Sequence, residues 1–209
     1  MENSSIDKNT DKTEKAKVAV LISGGGTNLQ AIIDRWQAGK MPHCEISLVV
    51  SSRRDAYGLQ RAEKAGIPHC FIGKENFEER LLELLEENGI QIIVLAGFLK
   101  VLSSGFVSRY PERILNVHPS LIPSFCGDGY YGLKVHEAAL ARGVKVSGAT
   151  VHYVNEVTDG GKIIAQKAVE VKDGDTPETL QRRIMEQAEW ILLPEAVEMT
   201  AAGITGGKA

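Results

Sequence analysis

The 209-residue sequence contains few cysteines, no excess of positive charge and no long hydrophobic run. Its three cysteines, Cys44, Cys70 and Cys126, are odd in number and widely spaced, which argues against a disulfide framework and a CxxC metal pattern. A formal net charge of -3 argues against the basic field that nucleic-acid-binding proteins usually carry. No apolar run approaches the roughly 20 residues of a membrane span. We therefore expect a cytoplasmic protein with reduced thiols that binds neither nucleic acid nor membrane.

Both ends of the chain are predicted to be disordered tails. Residues 1–17 mix acidic and basic side chains without apolar periodicity, and they lack the hydrophobic core of a signal peptide. Residues 201–209 follow the apolar stripe of the last predicted helix and are interpreted as the second tail. The 43% of hydrophobic residues is enough for a sizeable core, so we predict one domain over residues 18–200.

Apolar runs alternate with amphipathic segments along this domain. The continuous apolar run at 18–22 is typical of a strand buried on both faces of a parallel sheet, and the mostly apolar runs at 45–51, 90–96 and 114–118 are interpreted as further strands. The predicted helices between them indicate an α/β fold with a mostly parallel, doubly wound (Rossmann-like) sheet. Two later runs, 146–154 and 163–171, alternate as strands with one wet face do. They predict an antiparallel C-terminal extension of the sheet.

Three successive glycines follow the first predicted strand. They lead into Thr27 and Asn28 at the start of a predicted helix, where side-chain donors lie beside unpaired backbone N–H groups. Such a loop lets the backbone approach a phosphate closely. The spacing matches neither GxGxxG nor a P-loop, so a tight turn capped by Thr27 or Asn28 remains the alternative.

The run at 114–123 carries the best candidates for chemistry. Because side chains alternate along a strand, Asn116 and His118 should point to the same side. Pro119 and Pro123 end the strand and stiffen the loop at the edge where open α/β sheets bind ligands. Asp159, in an Asp-Gly-Gly turn, is the candidate partner of the histidine, although a structural histidine and a simple turn former are the alternative.

The segment that follows the strand at 90–96 is an apolar loop. Residues 97–102 are mostly hydrophobic, whereas loops normally run over the surface and are polar. This loop either packs under another loop or lines a pocket for a flat hydrophobic ligand.

Four segments together, 22–30, 95–102, 116–123 and 159–161, closely resemble the phosphoribosylglycinamide formyltransferases. The segment 116–123 alone marks the wider formyltetrahydrofolate-using family, and the resemblance covers residues 18–197. It implies transfer of the formyl group of 10-formyltetrahydrofolate to the amine of glycinamide ribonucleotide, in purine biosynthesis. The folate is a co-substrate, no metal is required, and a monomer or homodimer is expected.

The resemblance also implies the roles of individual residues. Asn116 and protonated His118 would stabilise the oxyanion on the formyl oxygen, and Asp159 would support the imidazolium. The phosphate of the ribonucleotide would be held by the loop that ends in Gly26, Thr27 and Asn28, and its ribose by Glu189, with Glu186 as the alternative. The folate would contact a larger set that also includes Asn116 and Asp159: Leu99, Lys100, Val101, Leu102, Asn155, Glu156, Val157 and Thr158.

The sequence departs from the family pattern in one loop, and three other functions are alternatives. The loop 125–132 is longer than the usual loop of the phosphoribosylglycinamide formyltransferases, so the resemblance implies no substrate contact for its residues. A formyltetrahydrofolate deformylase would use similar residues, but such relatives usually carry an N-terminal regulatory domain, for which residues 1–17 are too short. Methionyl-tRNA formyltransferase would need a further C-terminal domain. A non-catalytic nucleotide sensor on the same fold is disfavoured because all three catalytic positions are filled.

Overall fold

Seven strands form one sheet in the computed structural model of the protein, which describes residues 14–206. The strands are β1 (Ala16–Ile22), β2 (Cys44–Ser51), β3 (His69–Phe71), β4 (Ile92–Leu95), β5 (Ile114–His118), β6 (Val146–Tyr153) and β7 (Ile163–Glu170). Their order is β3-β2-β1-β4-β5-β6-β7. The first five strands are parallel, and β6 and β7 pair antiparallel at one side. The predicted fold class is confirmed.

Helices cover both faces of the sheet. They are α1 (Thr27–Gln37), α2 (Tyr57–Lys64), α3 (Phe77–Glu87), α4 (Ser104–Val107), α5 (Leu133–Arg142), α6 (Pro177–Ile184) and α7 (Trp190–Thr205), with a π-helical turn, Met185–Glu189, between the last two. Strand β1 shows why its run is continuously apolar: Val18 and Val20 enter one apolar layer, while Ala19 and Leu21 enter the other. Among the described residues, no helix combines the length and apolar character needed to cross a membrane.

The structure moves both predicted ends of the domain outwards. Ala16 and Lys17 belong to β1 because they pair with Cys44 and Glu45 of β2, so the first tail is shorter than expected. At the other end, α7 continues to Thr205 because Ala201 and Ala202 are buried against the core and favour helix. The rest of the predicted tails, 1–13 and 207–209, lies outside the described residues.

Candidate active site

Asn116 and His118 project from the same face of β5, as the strand alternation predicted. Antiparallel β6 places His152 directly opposite Asn116, and Thr150 opposite His118. Val117, between the two polar residues on the chain, packs against the apolar layer on the other face, in which Leu115 is buried. The pairing of β5 with β6 therefore collects an amide and two imidazoles on one patch of the sheet.

The loop between β6 and β7 brings Asp159 to this patch. Asp159 Oδ2 lies 3.4 Å from His118 Nδ1, and Asp159 Oδ1 lies 3.6 Å from His152 Nε2. The backbone N–H of Gly127 donates to Asp159 Oδ2 over 2.9 Å. Burial raises the pKa of the Asp159 carboxyl, but the hydrogen bond from the Gly127 amide and the charge of His118 oppose burial, and that pKa lies below its ordinary value. The structure thus brings His118 and His152 to the Asp159 carboxylate, with Asn116 beside His152 on the same patch.

His118 has acceptors at both ring nitrogens. Nε2 lies 2.8 Å from the carbonyl oxygen of Phe125, and since a carbonyl only accepts, Nε2 carries a proton. Nδ1 faces the Asp159 carboxylate, which favours a proton there as well. The hydrogen-bond partners of His118 are therefore those of a doubly protonated ring.

Two further histidines at the site were not assigned a role from the sequence. His152 lies within the strand predicted at 146–154, and alternation places it on a face with Thr150. The local sequence does not show which strand pairs with β5. His136 on α5 is fully buried, and burial, with a smaller effect of the His118 charge, lowers its pKa to about 4. His136 is therefore neutral at pH 7.

The glycine loop leaves the first turn of α1 without a side-chain cap. Gly26 is the N-cap residue, in a left-handed conformation with φ 70° and ψ 34°, and no side chain caps the helix. The alternative of a turn capped by Thr27 or Asn28 is therefore wrong, because Asn28 Nδ2 instead donates to Glu189 Oε2 over 2.7 Å. Gly24 and Gly25 are exposed. Uncapped N–H groups beside an exposed glycine backbone are what an anion site at a helix start requires.

Glu189 reaches this loop from the π-helical turn. Its side chain is buried, and burial raises the pKa of the carboxyl even though the hydrogen bond from Asn28 opposes this. Glu186, on the same turn, is exposed to solvent. Of the two glutamates left open by the sequence, Glu189 is the one that contacts the glycine loop.

The apolar loop 97–102 extends into solvent at its centre. Leu99 and Val101 are 69% and 86% exposed, so these side chains do not pack under another loop. Leu102 is buried in the apolar layer, and Lys100 Nζ lies 3.9 Å from the ring centroid of Phe77. The backbone N–H of Leu99 donates to the hydroxyl of Ser23, just before the glycines, over 2.9 Å. The two loops are thereby tied together at the carboxyl ends of β1 and β4.

The loop 155–158 forms a second exposed rim. Val157 is 63% exposed, and its backbone N–H donates to Asn155 Oδ1 over 3.0 Å. The hydroxyl of Thr158 donates to Asp128 Oδ1 over 3.0 Å, which connects this rim to the loop 125–132 after β5. Glu156 is exposed.

The polar face of β6 holds the start of the loop after β5. Thr150 Oγ1 donates to the Ser120 carbonyl over 2.7 Å and accepts from the Ile122 N–H over 3.1 Å. Further along, Gly127 contacts Asp159. These bonds fold the loop over His118, whose side chain is 5% exposed.

Comparison with known proteins places the chain in a family. Residues 16–197 match the family described as Formyl transferase. The trifunctional purine biosynthetic protein adenosine-3 of Gallus gallus is 46% identical over 92% of this chain, which spans only 19% of that relative. The phosphoribosylglycinamide formyltransferase of Haemophilus influenzae is 40% identical over 90% of this chain and 88% of its own length. The crystal structure of glycinamide ribonucleotide transformylase 1 from Symbiobacterium toebii superposes with a TM-score of 0.83 at 41% identity, covering 90% of this chain and 89% of that one. On this evidence, the chain belongs to the formyl transferase family.

Proposed function

We propose that the protein transfers the formyl group of 10-formyltetrahydrofolate to the primary amine of glycinamide ribonucleotide. The observation that carries this proposal is the cluster in which Asp159 contacts His118 next to the half-buried amide of Asn116. His118 and the Asn116 amide can donate hydrogen bonds to an oxygen that becomes negative, and acyl transfer requires such donors. Family membership, and similarity to relatives named for this activity, support the same assignment.

The reaction proceeds by attack of the substrate amine on the formyl carbon. A new carbon–nitrogen bond forms, and negative charge develops on the formyl oxygen. Asn116 Nδ2 and His118 Nε2 donate hydrogen bonds to that oxygen, each contributing a few kcal/mol in comparable sites. The intermediate collapses as the bond from carbon to the folate nitrogen breaks, and a water carries the proton lost by the amine to that nitrogen.

His118 needs one change of partner for this role. Its Nε2–H is engaged by the carbonyl of Phe125, at the start of the long loop. An oxyanion is a stronger acceptor than a neutral carbonyl, because charge-assisted hydrogen bonds are about twice as strong. We expect the formyl oxygen to replace the Phe125 carbonyl when substrate binds, while Asp159 retains Nδ1 and stabilises the charged ring.

The ribonucleotide occupies the glycine loop. The uncapped N–H groups at Gly26, Thr27 and Asn28 bind its phosphate. The buried oxygen Oδ1 of Asn28 has no hydrogen-bond partner among the described residues, so it is ready to accept one from the ligand. Glu189, bonded to the same Asn28 side chain, contacts the ribose hydroxyls.

The pterin of the folate lies between the two exposed rims. Leu99 and Val101 supply apolar contact on one side, with Lys100 and the backbone at Leu102 beside them. Residues 155–158 line the other side, and Asn116 and Asp159 close the end next to the reacting carbon. An exposed apolar loop of this kind is explained by a flat hydrophobic ligand.

The test is absorbance-monitored conversion of a 10-formyl folate by the purified protein, with and without glycinamide ribonucleotide. Conversion that depends on the ribonucleotide and yields its formylated product is expected. Conversion in its absence, with release of formate, would identify a deformylase. Binding of the ribonucleotide without any conversion would identify a nucleotide sensor.

A further inference from the structure

His152 contacts two of the three proposed catalytic side chains but has almost no exposed surface. Its Nε2 lies 3.2 Å from Asn116 Nδ2 and 3.6 Å from Asp159 Oδ1. Its Nδ1 lies 2.9 Å from the carbonyl oxygen of Tyr153. The side chain is 2% exposed, so it acts on a ligand only through its neighbours.

The partners of His152 determine where its proton lies. The Tyr153 carbonyl only accepts, so Nδ1 carries a hydrogen, and in the neutral ring Nε2 keeps its lone pair. That lone pair accepts one N–H of Asn116 Nδ2. The reverse orientation of the amide would place Asn116 Oδ1 against the same lone pair, where two acceptors repel each other.

The orientation of Asn116 matters because its two ends have opposite hydrogen-bonding character. When one N–H of Asn116 Nδ2 is bonded to His152, the second N–H of Nδ2 remains for the formyl oxygen, which needs a donor. With the amide reversed, a carbonyl-type oxygen would face the developing negative charge. A protonated His152 would also disfavour the productive orientation, because its Nε2–H would point at the Asn116 N–H group.

The two histidines around Asp159 therefore have different partners. His118 faces two acceptors, Phe125 O and Asp159, whereas His152 faces one acceptor, one donor and a more distant carboxylate oxygen. We infer that His152 is a positioning residue for formyl transfer: as a neutral imidazole it fixes Asn116 as a donor, while His118 carries the positive charge. This inference rests on the proposed function.

The test compares His152→Phe, which keeps a ring but removes the acceptor, with His152→Gln, whose amide oxygen can reach the former Nε2 position. His152→Phe should lower kcat about 10- to 100-fold with little change in either KM, since one oxyanion donor is misoriented. His152→Gln should recover most of this loss. In an Asn116→Ala background, His152→Phe should cost less than about threefold more, because residues acting through one another are not additive.

Three results would overturn the inference. Full kcat in His152→Phe would exclude it, and so would multiplicative losses in the double variant, which would mean that His152 acts independently of Asn116. The third is measured without any reaction: 15N NMR of the wild-type protein should find neutral His152 with its hydrogen on Nδ1, and a hydrogen on Nε2 would refute the geometry. Because this readout needs no turnover, failure of the inference is distinguishable from failure of the proposed function.

Discussion

Replacing Gly26 by alanine tests whether the glycine loop is built by close backbone packing. The residue has φ +70°, and a Cβ added there would lie 2.7 Å from the Cα of Gly58, at the start of α2. Gly58 has little freedom to retreat, because its N–H donates to the Gly24 carbonyl over 3.1 Å and its own Cβ position is occupied by Ile22. The substitution therefore combines an unfavourable backbone conformation with a backbone clash.

The expected cost follows from these two contributions. A left-handed L residue costs about 1–2 kcal/mol, overpacking costs about 1–3 kcal/mol, and the reduced entropy of the unfolded chain returns about 0.4–1 kcal/mol. Gly26→Ala should thus lower the free energy of unfolding by about 1–4.6 kcal/mol. Gly39→Ala is the matched control, since Gly39 has the same φ of +70° but nothing within 4 Å of its Cβ position.

Urea unfolding at constant m-value measures both variants. If Gly26→Ala is no more destabilising than Gly39→Ala, the clash with Gly58 has no energetic weight and the packing argument is refuted. Gly25→Ala adds the functional half of the test, because a Cβ there meets nothing in the protein. Gly25→Ala should leave the free energy of unfolding within about 0.5 kcal/mol of wild type. It should raise KM for glycinamide ribonucleotide, because the phosphate binds to exposed backbone N–H groups. An unchanged KM would show that the phosphate does not bind at this loop.

Other side chains of the site give two more predictions. Asp159→Asn should lower kcat by about 10²–10³-fold with KM little changed. The pKa of Asp159 is lower in the folded state than in the unfolded state, so its carboxylate stabilises the fold at neutral pH. This stabilisation is lost only as the pH falls below about 4. Unfolding measured across pH 2–7 should show this loss in wild type and not in the variant. For Glu189 the sign is opposite, since burial raises the pKa, so the free energy of unfolding of wild type should fall as the pH rises from about 4.3 through that raised value. Glu189→Gln should abolish this fall and raise KM for the ribonucleotide. Glu186→Gln, at an exposed position, should do neither. Equal effects of the two substitutions would contradict the assignment of the ribose contact to Glu189.

The sequence by itself determined the features that depend on neighbours along the chain. Period-two alternation placed Asn116 and His118 on one face of a strand, and the continuous apolar character of β1 indicated a sheet covered on both sides. A threonine followed by proline is a local signal for the start of a helix, and α6 begins at such a pair: the Thr176 hydroxyl accepts from the Thr179 N–H, with Pro177 at the first helical position. Such signals are local, so they survive without knowledge of the fold.

Only the tertiary structure decided which distant residues meet. His152 lies beside Asn116 because of the register between β5 and β6, and a slip of one residue would have sent its side chain to the other face. The π-helical turn buries Glu189 and exposes Glu186, and burial of Ala201 and Ala202 carries α7 beyond the predicted end of the domain. Burial and strand register arise from contacts between segments far apart in sequence, and no local pattern contains them.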